Sequence, residues 1–211
     1  MKKAILGMVV FVIFATTGMA QTKMSGYIGG GLGVPMSPSG FTDEHNMGPN
    51  FMGGLGFELS PSLELVCRVG YNMFPINEDA IMTELEAELG PLPGVSIDGG
   101  TFKVLAFGAD LKVNFQSSGD EANMAPFIVL GLGMASTSFS DVTVSLGGMG
   151  ITVPVDASET NFALNFGAGF NYMFSPSTGL FVDGRYCIIL TEDESVSYLP
   201  IRAGLKFNFG G

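Results

Sequence analysis

The chain has 211 residues, 46% hydrophobic and 14% charged, which excludes a disordered polymer and suits one domain with its own core. Its 31 glycines are about twice the usual share but show no Gly-x-y period, so it is not collagen-like. A formal net charge of −11 argues against nucleic acid as a partner, because phosphate binding needs clustered Lys and Arg.

The first element is an address. Lys2 and Lys3 precede an apolar run from Ala4 to Ala15, and Gly18 and Ala20 close the segment. This is the order of a secretory signal peptide with cleavage between Ala20 and Gln21. The run is too short for a comfortable helical span, and no Cys follows the cleavage point to carry a lipid. The expected division is a signal segment, residues 1–20, and a single domain, residues 21–211.

The domain is built of stretches that alternate with period two, the mark of strands with unlike faces. Met24–Val34 is Gly-rich. In Phe51–Leu59, Phe51, Leu55, Phe57 and Leu59 oppose Gly54, Gly56 and Glu58. In Leu63–Asn72, Leu63, Leu65, Cys67, Val69 and Tyr71 oppose Glu64, Arg68, Gly70 and Asn72. Leu105–Phe115 sets Leu105, Phe107, Leu111, Val113 and Phe115 against Gly108, Asp110, Lys112 and Asn114. Met124–Met134 is apolar on both faces. Phe162–Tyr172 alternates Phe and Leu with Asn and Gly, Leu180–Leu190 carries Asp183 and Arg185 on one face, and Ile201–Phe209 carries Arg202 and Lys206.

Connections between these eight segments alternate in length. Pro35–Asn50, Phe74–Gly100, Ala135–Thr160 and Thr191–Val196 are the longer set; Ser60–Ser62, Gln116–Asn123 and Ser175–Thr178 are short. Segments of about ten residues with long and short connections in turn predict an all-β fold. It is an eight-stranded antiparallel transmembrane up-and-down β-barrel with long extracellular loops and short periplasmic turns. Asp79–Leu89 spaces Ile81, Leu85 and Leu89 as a short helix ending at Gly90-Pro91. Val142–Leu146 and Ile151–Val155 read as a hairpin around Gly147–Gly150. Counting both as barrel strands gives ten, but each is shorter than the roughly 9–11 residues a span needs.

The charges follow the same geometry. Glu58, Glu64, Arg68, Asp110, Lys112, Asp183, Arg185, Arg202 and Lys206 all fall on polar strand faces and are expected inside the barrel. A charge facing lipid at mid-depth would cost up to a few kcal/mol. Counting along the strands places Arg68 near Asp110, Glu64 near Lys112 and Asp183 near Lys206. The four long connections hold fourteen acids and no Lys or Arg. Divalent cations or a cationic surface ligand are candidate partners there, although acids that only keep loops solvated give the same composition.

The last strand ends Arg202-Ala203-Gly204-Leu205-Lys206-Phe207-Asn208-Phe209. Its polar, Gly and aromatic positions, Arg202, Gly204, Phe207 and Phe209, resemble the C-terminal insertion signal of bacterial outer-membrane barrels. Pro126–Gly133, Gly167–Tyr172 and Asp183–Tyr186 are similar to strands of the small eight-stranded family of outer-membrane proteins A, X and W and the opacity proteins. That resemblance implies residence in outer-membrane lipid and insertion by the barrel-assembly machinery, as a monomer. Gly210 and Gly211, beyond the final aromatic, depart from the family pattern.

Sharper chemistry finds little support. His45, in Asp43-Glu44-His45, stands on a Gly/Pro-rich loop without a sequence-adjacent nucleophile and reads as a solvated residue. Cys67 faces lipid and Cys187 the interior of non-neighbouring strands, so two free thiols are expected. No helix follows the Gly29–Gly33 or Gly53–Gly56 cluster to complete a phosphate cradle. The expectation is a non-enzymatic protein with no cofactor, no metal and no catalytic residues. Its side-chain-filled interior leaves two roles: a structural or surface-interaction protein acting through its acidic loops, and a narrow porin-like channel for ions or small solutes.

Overall fold

A computed structural model describes residues 23–115, 124–147, 149–154, 158–192 and 194–209. The expected signal segment and its cleavage point lie outside the described residues.

Eleven strands and two helices follow one another along the chain: β1 (Met24–Ser37), α1 (Ser39–Glu44), β2 (Gly48–Ser60), β3 (Leu63–Pro75), α2 (Glu78–Leu89), β4 (Val95–Gly99), β5 (Thr101–Asn114), β6 (Met124–Phe139), β7 (Val142–Leu146), β8 (Met149–Val153), β9 (Ser158–Met173), β10 (Thr178–Leu190) and β11 (Val196–Phe209). Eight of them close an antiparallel barrel in the order β1-β11-β10-β9-β6-β5-β3-β2. Closure is made by β1 on β11, from Met24 opposite Phe209 to Ser37 opposite Ser197. The remaining three form a separate sheet, β4-β7-β8. The hairpin expected between Val142 and Val155 therefore pairs with β4 and adds nothing to the barrel wall.

Period-two alternation works here as burial on one face and lipid on the other. Ile28, Leu32, Phe51, Leu55, Leu130, Leu132, Phe166 and Ile201 are exposed around the outside, an apolar belt of the kind hydrocarbon requires. Barrel strands run from 13 residues in β2 to 16 in β6, more than the roughly 9–11 a tilted span consumes. Against the sequence reading, nearly all of the extra length is at the long-connection end. β3 continues past Asn72 to Pro75, β5 begins at Thr101, β6 runs on to Phe139 and β9 starts at Ser158. The wall thus rises beyond the lipid-facing zone on that side.

The long connections are ordered by their own chemistry. Asn77 caps α2 by accepting the Ala80 N–H at 3.3 Å, and Glu78 and Asp79 lie in the first turn, where the helix dipole favours acids. Gly90 ends it with φ +86°, and its N–H donates to the Glu86 carbonyl at 3.0 Å. Gly147 opens the β7–β8 turn with φ +58°, the conformation a two-residue hairpin asks for.

Candidate functional site

Along the barrel axis the interior has three layers. At the short-turn end a cavity of about 480 Å³ is lined by Lys23, Ser25, Glu58, Glu64, Asn171, Lys206 and Asn208, among others. Its inner wall is a cation pair around one carboxylate. Glu64 lies 3.8 Å from the Lys112 ammonium and 3.7 Å from that of Lys206, and it accepts from the Tyr27 hydroxyl at 2.8 Å and from Ser25. Lys112 donates to Tyr27 and Asn171, each at 3.1 Å, and stands 4.0 Å over the Phe127 ring, so the face of an aromatic ring offsets part of its charge. Glu58 sits in the cavity lining, opposite Glu64 in the β2–β3 register.

The middle layer is a chain of alternating charge. Arg68 Nε lies 2.8 Å from Asp110; Asp110 also meets Arg185; Arg185 Nε lies 2.6 Å from Asp183; and Asp183 is 2.9 Å from Arg202 Nε. Asn165 donates to Asp110 at 3.0 Å. Asp110 has no exposed surface. Each carboxylate is shared by two guanidiniums, which satisfies acceptors that would otherwise be desolvated alone. Gly131 makes this possible, because a Cβ there would land on Asp110 Oδ1.

This layer differs from the sequence reading in two respects. Asp183 does not reach Lys206: the β10–β11 register sets it opposite Arg202 and sets Lys206 opposite Gly179, so Lys206 turns to Glu64. Asp110 is not dependent on Arg68, because Arg185 reaches it from the far wall. Glu64 with Lys112 and Arg68 with Asp110 are brought together. Of the residues expected to form an insertion signal, Arg202 is buried in this network, whereas Phe209 is exposed.

The third layer was missed from sequence. At the long-loop end the interior is apolar: Phe74, Val104, Ala106, Ala135, Cys187, Ile189 and Tyr198 are buried in one cluster, and Phe41 of α1 folds down onto them. The Phe41 ring lies 5.2 Å from Phe74 and 5.3 Å from Phe102. Backbone bonds tie this plug in place, from Asn46 N–H to the Pro75 carbonyl at 2.8 Å and from Asn77 N–H to the Glu44 carbonyl at 2.6 Å. The signal was available in Val104-Leu105-Ala106-Phe107 and Cys187–Leu190, apolar on both faces near the long connections.

His45 is a further correction. It is not a solvated loop residue but sits among Phe41, Phe102 and Phe139, with ring centroids 5.1 to 5.9 Å away. Burial pushes the imidazole pKa below its ordinary value, offset only in part by the Phe41 backbone. Both cysteines are free, Cys67 half-buried and Cys187 in the apolar cluster. Among the described residues no group of three or more His, Cys, Asp or Glu side chains is placed to hold a metal ion.

Among the described residues the long connections carry acids on α1, α2 and β4, at Asp141 and Glu159, and at Glu192 and Glu194, and no Lys or Arg. The nearest basic side chain is Lys103, near the start of β5.

The sequence matches the outer membrane protein beta-barrel domain family over residues 6–209. Among solved structures, Neisserial surface protein A is similar with a TM-score of 0.53 and 17% identity, over 89% of this chain and 97% of that one. Ail, the attachment invasion locus protein of Yersinia pestis, in complex with the heparin analogue sucrose octasulfate, gives 0.49 and 18%, over 89% and 99%. The N-terminal β-barrel domain of Pseudomonas aeruginosa OprF gives 0.46 and 14%, over 90% and 98%. No curated protein sequence matches. At these identities the likeness is one of fold.

Proposed function

Because the chain belongs to the outer-membrane β-barrel protein family and resides in the bacterial outer membrane, we propose that it works as a closed barrel presenting an acidic binding rim. One observation carries this reading: the interior is shut at two independent levels, by the Arg68–Asp110–Arg185–Asp183–Arg202 chain and by the aromatic plug above it. A solute crossing the barrel must break buried ion pairs and displace α1.

In this reading residues 1–20 direct export, Arg202, Gly204, Phe207 and Phe209 guide insertion, and the long connections face outward. Their uniform negative charge raises the local concentration of cationic partners and repels anionic ones, over a range of about 8 Å at physiological salt. In this reading the role is non-enzymatic, and His45, packed among Phe41, Phe102 and Phe139, belongs to the plug.

The test is single-channel recording of the refolded protein in a planar bilayer, with Arg68→Ala alongside. Silent membranes containing folded protein are expected. Discrete steps that change with Arg68→Ala would overturn the closed barrel and favour the narrow channel.

A further inference from the structure

The sheet β4-β7-β8 stands outside the barrel wall and is strongly two-faced. Ile97 pairs with Val144 and Val144 with Ile151; Val95 pairs with Leu146 and Leu146 with Met149. Residues directly opposite one another share a face, so these rows form one apolar surface. The other face carries Ser96, Asp98, Thr143, Ser145 and Thr152.

Burial falls steadily across the apolar middle row, from Ile97 at 7% exposed through Val144 at 39% to Ile151 at 71%. The molecule covers this face at β4, where Ile97 is buried, and leaves it bare at β8. In sheet order β8 is also an edge, with no strand on its outer side among the described residues. Edge strands are normally blunted by Lys, Pro or a bulge. β8 reads Met-Gly-Ile-Thr-Val, with no charge and no proline, and pairs with β7 without a register shift. An unprotected edge beside an exposed apolar row is the arrangement that accepts an added strand.

The charge around it selects the occupant. The long connections carry fourteen acids and no Lys or Arg, so a second copy would bring like charges together, and lipid phosphate is repelled in the same way. We propose that β8 takes up an extended cationic polypeptide segment as a fourth strand. Its apolar side chains continue the Met149–Ile151 row, and its Lys or Arg side chains project from the opposite face, at the end of the barrel where the long connections carry their acids. This deepens the binding-rim reading and rests on it.

The experiment uses the full mature chain refolded in detergent micelles and three fluorescent octapeptides: alternating Lys-Val, alternating Glu-Val, and all-Lys. Lys-Val is expected to bind, with an affinity that falls as salt rises, and to slow amide hydrogen exchange in residues 149–153. The variant Met149→Ser/Ile151→Ser changes two exposed side chains, so the barrel folds, and it is expected to weaken Lys-Val at least tenfold. Equal binding of all-Lys, or unchanged binding to the double variant, would overturn strand addition and leave the acidic rim standing. Binding of Glu-Val as tight as Lys-Val would remove the charge argument. If neither cationic peptide binds, both readings fail. Self-association through an Ile151→Cys cross-link without peptide would replace the proposed occupant with a second copy.

Discussion

Replacing Asp110 with alanine removes one carboxylate from a chain in which it serves two guanidiniums. Arg185 keeps Asp183 at 2.6 Å, but Arg68 loses the carboxylate it meets at 2.8 Å. Stranding a buried charge costs about 3–5 kcal/mol, and losing the Asn165 hydrogen bond adds roughly 1 kcal/mol. Arg68→Ala is gentler, about 1–3 kcal/mol, because Asp110 keeps Arg185 and Asn165. In the double variant there is no Arg68 left to strand, so its cost falls below the sum of the singles by about 2–3 kcal/mol. The assay is urea unfolding in detergent micelles, following the electrophoretic shift between folded and unfolded barrel. Additive single-variant costs, or an Arg68→Ala loss as large as that of Asp110→Ala, would refute the shared-carboxylate account.

Other outcomes follow from the same geometry. Gly131→Ala drives a methyl into Asp110 and Asn165 and should destabilise by about 1–3 kcal/mol, whereas Gly184→Ala, which meets nothing within 4 Å, should leave the urea midpoint unchanged. His45 is held neutral by burial, so its folded pKa lies below the unfolded value near 6.5 and the unfolded loop binds the extra proton. The plug is accordingly most stable above that value and loosens as pH falls through it. Limited proteolysis around residues 38–47 should accelerate on acidification, and His45→Gln should remove most of that dependence. Phe209→Ala should lower the yield of folded protein in the outer membrane relative to wild type; equal yields would count against the terminal insertion signal.

Strand order and the lipid face were legible because they depend on parity, which a sequence states outright. The Glu64–Lys112 and Arg68–Asp110 pairs were legible for a related reason: β3 and β5 are neighbours in the barrel, and counting inward from their short-turn ends, where Leu63 stands opposite Val113, reaches both pairs. Asp183 was assigned the wrong partner because Arg202 and Lys206 lie on the same face of β11, four residues apart, and parity does not tell one from the other; the register sets Asp183 opposite Arg202. The link from Arg185 to Asp110 joins strands that are not adjacent, and no count along the chain reaches across a barrel. The plug escaped for a different reason. A polar interior is the rule for the membrane-embedded part, but the wall rises above that zone, and there Phe74, Val104 and Ile189 pack as they would in a water-soluble core. β4 was overlooked because its five residues are stabilised by β7, more than forty positions away.

The cavity at the short turns and the plug at the other end give the barrel the form of a cup with a single mouth. The cavity opens past Lys23 and Asn208 and reaches Glu64, and above that level the charges are already saturated by one another. In a sealed vesicle a deuterium front would therefore advance from one compartment only, reaching the Glu64–Lys112 layer before Asp110 and Asp183. Cys187, between that floor and the lid of phenyl rings, is screened from thiol reagents supplied on either side.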